Sequence, residues 1–289
     1  MVGDFKCYFC GSAKYKKLIV SGVFYRCKKC GLITLSEEEQ LKNPKDYYSE
    51  TYYPEDYNGR INLKSAFLYR LACISKFVKK GSKVLEVGAA SGDFLNIIKR
   101  LGYQVAGVEL SKRASEKAKE LYGLEVLNGS LAEANFLENS FEAVLAYHVI
   151  EHIKDLRPFL KEVYRVLRPG GILLAEVPNP CSIDAHLSKR LLGSILDYPN
   201  HVYGFPPKVL VALLEEAGFG IIYEEKSFSF LISQFFSRKN KAKGAKVVNV
   251  AGGQSENFGR IEDYEFRSVW KRWLAQILPG MKYTLVAKK

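Results

Sequence analysis

Four cysteines stand in two pairs, Cys7-Tyr-Phe-Cys10 and Cys27-Lys-Lys-Cys30, sixteen residues apart, and a glycine follows each pair (Gly11, Gly31). Two such knuckles can supply four thiolates to one tetrahedral zinc, with glycine permitting the tight turn at each. A redox dithiol pair or an iron–sulfur cluster would use the same residues. Four sulfur ligands leave no open position, so a zinc here is expected to be structural. A second group is acidic. Glu86 stands two residues before Gly88, Asp93 directly follows Gly92, and Glu109 lies further on. A carboxylate at Asp93 favours the start of a helix but repels a diphosphate, and Glu86 adds a second negative charge. Glu109 can take both hydroxyls of a ribose through its two oxygens. Such a pocket suits a nucleoside with a cationic tail better than a dinucleotide, and S-adenosylmethionine is such a molecule. The third group holds His148 and His201, imidazoles able to take a proton from an acceptor near neutral pH.

The elements that position these groups follow from apolar patterning. Val84, Leu85 and Val87 read as a short strand that turns through Gly88 and Gly92. A helix follows, with Phe94, Leu95, Ile97 and Ile98 on its buried stripe. Strand, glycine turn and helix are expected to place backbone N–H groups around a ligand. Residues 104–109 form a second strand ending at Glu109, and Ser111 caps a helix running to Tyr122. Residues 124–127 and 141–147 are the third and fourth strands, and His148 stands at the C-terminal end of the fourth, the edge where open α/β sheets bind ligands.

In order, Glu86-x-Gly88-x-x-x-Gly92, an acid ending the second strand, the stretch 141–152 and Leu167-Arg-Pro-Gly-Gly171 resemble the motifs of class I S-adenosylmethionine-dependent methyltransferases. The resemblance runs from about residue 62 to 230. It implies an α/β fold, a seven-stranded Rossmann-like sheet, here with a small N-terminal zinc-ribbon-like module. It also implies S-adenosyl-L-methionine contacts at Glu86, Gly88, Ala89, Ala90, Gly92, Asp93, Phe94, Glu109, Leu110, Ser130, Leu131 and Tyr147. Ala90 departs from the pattern, since many members carry a third glycine there. Ser130 stands near the place where many members have an aspartate beside the adenine. His148 is the first candidate for a general base and His201 the second, while Glu151 and His152 are expected to orient their loop. The alternative is a Rossmann-like domain for another nucleotide. His148-Val-Ile-Glu-His152 also spells the motif of inverted zinc peptidases, which needs a long helix. A strand directly before His148 and Pro158 soon after disfavour it.

Size and composition set the frame. The 289 residues suit one α/β domain with small additions, and 47% hydrophobic and 26% charged residues are those of a globular protein. Neither a membrane-spanning run nor a signal peptide is visible, so the expected compartment is the cytoplasm, where paired cysteines argue for metal over disulfides. The net charge is +12, and residues 1–35 and 226–246 each carry +6, leaving the remainder balanced. Two basic patches suit acidic partners, although a solvated surface explains them as well.

The chain divides as a zinc-binding module (1–40), a Tyr-rich linker (41–61) and a methyltransferase domain (62–289). The domain includes an acceptor-side insertion (178–205) and a Lys-rich segment (231–260) that we expect to be flexible. In the module, 18–20 and 23–25 read as hairpin strands too short to bury a core, so the metal must hold them. Tyr52 or Tyr57 of the linker can face an acceptor, or merely pack between the domains. A helix is expected at 62–79 and another at 157–167, stopped by Pro169 and the following glycines before a fifth strand at 172–177. Residues 181–200 read as a long connection and 206–217 as a helix. A sixth strand is expected at 218–230 and a seventh, antiparallel beside it, at 281–287. The amphipathic helix at 262–278 is expected to pack on the domain, the alternative being a dimer or peripheral membrane contact beside the basic segment. The expected acceptor is a small molecule, such as a sugar, sugar nucleotide or glycan precursor. An RNA or protein methyltransferase docking its polymer on the basic module is the less favoured reading, and a non-catalytic nucleoside-binding protein is a third. The oligomeric state stays open.

Overall fold

The computed structural model describes residues 5–42, 44–48, 63–228 and 278–289. The N-terminal segment forms three short antiparallel strands, β1 (Tyr15–Ile19), β2 (Val23–Cys27) and β3 (Ile33–Leu35), followed by a single helical turn, α1 (Pro44–Tyr47). Next come α2 (Leu63–Phe77), β4 (Lys83–Val87), α3 (Asp93–Arg100), β5 (Gln104–Glu109), α4 (Lys112–Tyr122) and β6 (Val126–Asn128). Then follow β7 (Phe141–Tyr147), a 3-10 turn (Ile150–His152), α5 (Leu156–Val166) and β8 (Leu167–Pro178). The remainder comprises α6 (Ile183–Leu187), α7 (Lys189–Leu196), β9 (Tyr203–Gly204), α8 (Pro207–Glu216), β10 (Gly220–Phe228) and β11 (Pro279–Lys288).

Seven strands make the main sheet in the order β10-β11-β8-β7-β4-β5-β6. The five from β4 to β8 run parallel, and β11 is antiparallel to both of its neighbours. The seven-stranded α/β sheet is therefore as expected, with the last strand inserted between the fifth and the sixth. The central strands are covered on both faces, which is why they read as near-continuous apolar runs. Val84, Leu85, Val144, Leu145, Leu173 and Leu174 are all fully buried. The side chain of Ser111 accepts from the N–H of Ala114, and Gly123 closes the same helix in the left-handed conformation.

Two elements differ from expectation. Ser182 and Ser188 turn the expected connection at 181–200 into the helices α6 and α7, each serine accepting from the backbone N–H three residues on. Arg168-Pro-Gly-Gly171 does not separate α5 from its strand. It is an irregularity within β8, and Gly170 and Gly171 exchange backbone hydrogen bonds with Lys289.

The four-stranded sheet is shared, because β9 of the insertion pairs antiparallel with β3. Cys7, Cys27 and Leu32 lie in the same apolar cluster as Val202, Tyr203 and Phe205. Arg157 adds polar anchoring. It donates to the carbonyl oxygens of Tyr8 and Phe9 and lies over the Tyr8 ring at 4.9 Å. The cysteine module thus has a packed face against the rest of the chain. Tyr52, Tyr57, residues 231–260 and most of 262–278, for which expectations are given above, lie outside the described residues. No helix among the described residues is long and apolar enough to cross a membrane.

Candidate active site

The C-terminal ends of β4, β5, β7 and β8 open onto one cavity of about 480 Å³. Its floor is the bend after β4. Gly88 has φ +70°, and a Cβ there would lie 2.7 Å from a methyl of Val149, so the position admits only glycine without rearrangement. The N–H groups of Gly88 and Ala89 both donate to the carbonyl of Val108, and that of Ala90 donates to Glu109 Oε2 at 2.9 Å. These donors, expected to surround a ligand, are engaged by β5 and the acid that ends it. Those three N–H groups are therefore not free for a diphosphate, and Asp93 stands at the start of α3. It offers close approach and negative charge. Gly92 caps α3, and a Cβ there would meet Ala118 at 3.0 Å and Leu124 at 3.1 Å. That glycine allows α3 to pack closely against Ala118 and Leu124.

Glu109 is 4% exposed, and its two oxygens are separately oriented: Oε2 by Ala90 N–H, Oε1 by Ser111 N–H at 2.9 Å. Asn128 braces the same loop by donating to the carbonyls of Glu109 and Leu110. Glu86 is as deeply buried, and its Oε2 has no partner among the described residues. Burial pushes its carboxyl up to about 8; Arg70 opposes the shift, and Asp93 and Glu109 add to it. Burial likewise raises Glu109, against the hydrogen bonds from Ser111, Ala90 and Leu110. Asp93 accepts from the hydroxyls of Ser91 and Tyr122. Ala89, Ala90, Phe94, Leu110, Ser130, Leu131 and Tyr147 all line the cavity. The hydroxyl of Ser130 is engaged locally, accepting from Glu133 N–H at 3.2 Å.

The opposite wall carries the histidines. His148 has φ +56°, rare for a residue with a Cβ, and this turns its ring between two buried acids. Its Nδ1 lies 3.2 Å from Glu151 Oε1 and its Nε2 3.0 Å from Glu176 Oε1. Desolvation opposes a charge on this ring, but the two carboxylates outweigh it and hold its pKa above the ordinary value. With both ring nitrogens facing carboxylates, His148 has none left to face an acceptor. His201 differs, because its Nδ1 donates to the carbonyl of Ile195 at 2.7 Å and Nε2 keeps its lone pair. Of the two histidines, His201 is the one with a ring nitrogen that has no hydrogen-bond partner among the described residues. His152 Nδ1 meets Tyr48 Oη at 2.7 Å and the carbonyl of Asn200 at 3.0 Å, and burial lowers its pKa to about 4.

One cluster escaped the sequence reading. Glu176 accepts from Arg70 at 3.1 Å and Lys282 at 3.2 Å as well as from His148. These three partners outweigh the burial that would raise its pKa and hold it well below the usual carboxylate range. Arg70 also lies over the Tyr147 ring at 4.3 Å. The available signal was an acid inside the apolar run 172–177, which a fold tolerates only with partners.

The four cysteines converge in the shared module. Cys7 and Cys30 sulfurs are 3.5 Å apart, Cys10 and Cys27 sulfurs 3.6 Å. Thiolates on one zinc with ~2.3 Å bonds stand ~3.7 Å apart, so the set fits that ion. Gly11 and Gly31, both at positive φ, donate to the carbonyls of Cys7 and Cys27 and close the two knuckles.

The sheet order is that of a Rossmann-like α/β sheet with the cavity at the C-terminal ends of its parallel strands. Residues 85–175 match a family model described as a methyltransferase domain. A probable S-adenosylmethionine-dependent methyltransferase of Mycolicibacterium smegmatis is 30% identical over 49% of this chain and 53% of its own length. A demethylmenaquinone methyltransferase of Tropheryma whipplei is 32% identical over 47% of this chain and 61% of its own. The chain thus spans little more than half the length of these relatives. A crystal structure of an S-adenosylmethionine-dependent methyltransferase from Archaeoglobus fulgidus superposes with a TM-score of 0.55 at 22% identity. It covers 81% of this chain and 97% of that one, and shares the fold.

Proposed function

We propose that the protein transfers a methyl group from S-adenosylmethionine to a small-molecule acceptor. The observation that carries this reading is the pair of buried acids in one cavity. Glu109 has both oxygens oriented, and Glu86 has an oxygen with no partner. When bound, S-adenosylmethionine supplies an electrophilic methyl on a sulfonium. Glu109 holds the ribose hydroxyls and Glu86 the α-ammonium, while Phe94 and Tyr147 exclude water from the transfer path. His201 Nε2 takes the acceptor's proton. His148, fixed between Glu151 and Glu176, shapes the wall. The methyltransferase domain is 62–289, with 178–205 on the acceptor side. The module at 1–40 holds one structural zinc through Cys7, Cys10, Cys27 and Cys30. Hydroxylated acceptors, sugars and sugar nucleotides among them, fit the base at His201.

The test is S-adenosylhomocysteine formation by the purified chain over a panel of sugars, sugar nucleotides, quinols and phenols. His201→Asn is expected to lower kcat by about 100-fold or more with donor affinity unchanged. Unaltered kcat would remove the base. A cavity that takes no S-adenosylmethionine would remove the whole reading.

A further inference from the structure

Glu151, His152 and His201 meet at the acceptor end of the cavity. Each offers one ligand atom, and these atoms lie within 4.8 Å of one another. Glu151 and His152 come from the turn after β7, and His201 from the segment leading into β9. Glu151 is 1% exposed; its Oε1 faces His148 Nδ1, and its Oε2 has no partner among the described residues. A buried carboxylate oxygen left unbonded is costly, and its presence calls for an explanation. His201 is already held as a metal-binding imidazole is held, its Nδ1–H donating to a backbone carbonyl so that Nε2 points away as a lone pair. That Nε2 stands 3.9 Å from Glu151 Oε1, too far for a hydrogen bond. The contacts of His152 fall on Nδ1, leaving Nε2 without a partner among the described residues, and its ring meets that of His201 edge-on at 4.6 Å. Ligand atoms on one tetrahedral ion stand roughly 3.4 Å apart, so side-chain shifts of about an ångström would close this set on a cation.

We propose that Glu151, His152 and His201 bind one divalent transition-metal ion of the zinc class, with a coordination position open to the acceptor. Two imidazoles and one carboxylate form the three-ligand pattern of catalytic zinc, whereas four thiolates form the closed pattern of structural zinc. His152 and His201 line the same cavity as Glu86 and Glu109, so an acceptor oxygen in the open position faces the methyl donor. The ligand class is a hydroxyl or enol oxygen. On the metal its O–H gives the proton to water. The oxygen then forms a bond to the methyl carbon as the carbon–sulfur bond breaks, with that electron pair remaining on sulfur. In the metal-free protein His201 Nε2 is the base; in the loaded protein it is a ligand. This use of the ion rests on the methyl-transfer reading, whereas the binding of the ion does not.

Cobalt(II) titration of the full chain tests the site without activity. Cobalt on four thiolates shows intense sulfur-to-metal charge-transfer absorption, and cobalt on two imidazoles and a carboxylate shows only weak ligand-field bands. The wild type is expected to develop both signatures. Glu151→Gln and His152→Asn are expected to lose the weak bands, with affinity at that site down about 100-fold or more, while the thiolate bands persist and report the fold. A wild type with no cobalt absorption beyond the thiolate bands overturns the proposal. So do variants that retain the weak bands at wild-type affinity. If the weak bands form and respond to the variants but no acceptor is methylated, the metal site stands and the methyl-transfer reading falls.

Discussion

Glu109→Gln is expected to weaken S-adenosylmethionine binding by about 100-fold, which corresponds to about 3 kcal/mol. Both oxygens of Glu109 already accept from backbone N–H groups, those of Ala90 and Ser111. A carboxamide must place its NH₂ against one of these donors, which either expels the side chain or pushes back the bend. The ribose diol would then keep one acceptor in place of a charged pair. A charge-assisted hydrogen bond is worth roughly 1.5–3 kcal/mol, so losing one of the pair predicts an effect of about this size. Calorimetric titration measures it directly. A loss below about 3-fold would mean that the ribose is held elsewhere.

Loss of the zinc proposed for the cysteine module should act on stability before it acts on chemistry. Cys27 is 1% exposed, and its sulfur lies 3.6 Å from that of Cys10. Cys27→Ser is expected to lower metal content by one ion per chain and the melting temperature by about 10 °C, the shift for several kcal/mol in a domain of this size. The loss extends beyond the module, because Cys7, Cys27 and Leu32 belong to the same apolar cluster as Tyr203 and Phe205. β3 also carries the edge on which β9 pairs, and β9 follows His201 by two residues. Differential scanning calorimetry with metal analysis checks the prediction. An unchanged melting temperature after complete loss of metal would assign the module's stability to packing and to the Arg157 contacts alone.

The parts of the fold that were legible in the chain are those whose physics is local. The apolar runs of β4 and β7 fixed two central strands. Ser111 and Gly123 mark both ends of α4 because capping chemistry acts within a few residues. The seventh strand was placed beside the sixth, but its insertion next to β8 is a matter of long-range pairing. α6 and α7 were missed because Ser182 and Ser188 read equally well as loop residues and as caps. At the site, Glu86 and Glu109 were recognisable from their spacing around the bend. The ties of Ala90 and Ser111 to Glu109 were not, nor was the gathering of Arg70, His148 and Lys282 on Glu176, which joins three remote segments. The histidines were visible as residues but not as chemistry. Their roles depend on what each ring nitrogen faces, and that is decided by the positive φ of His148 and the carbonyl of Ile195.

The central claim is that two buried acids beside a glycine bend accept a cationic adenosine derivative. Burial raises Glu86 to about 8, so in the free protein at neutral pH it carries a proton. A cation bound beside it favours the carboxylate, and binding must then expel that proton. Titration calorimetry of S-adenosylmethionine in buffers of different ionisation enthalpy reads this directly. The account predicts release approaching one proton near pH 6, falling toward none above about pH 8. Affinity should rise up to ~10-fold per pH unit across that window. An affinity that is flat across this range with no proton released, or heat from NADH and none from S-adenosylmethionine, would contradict it.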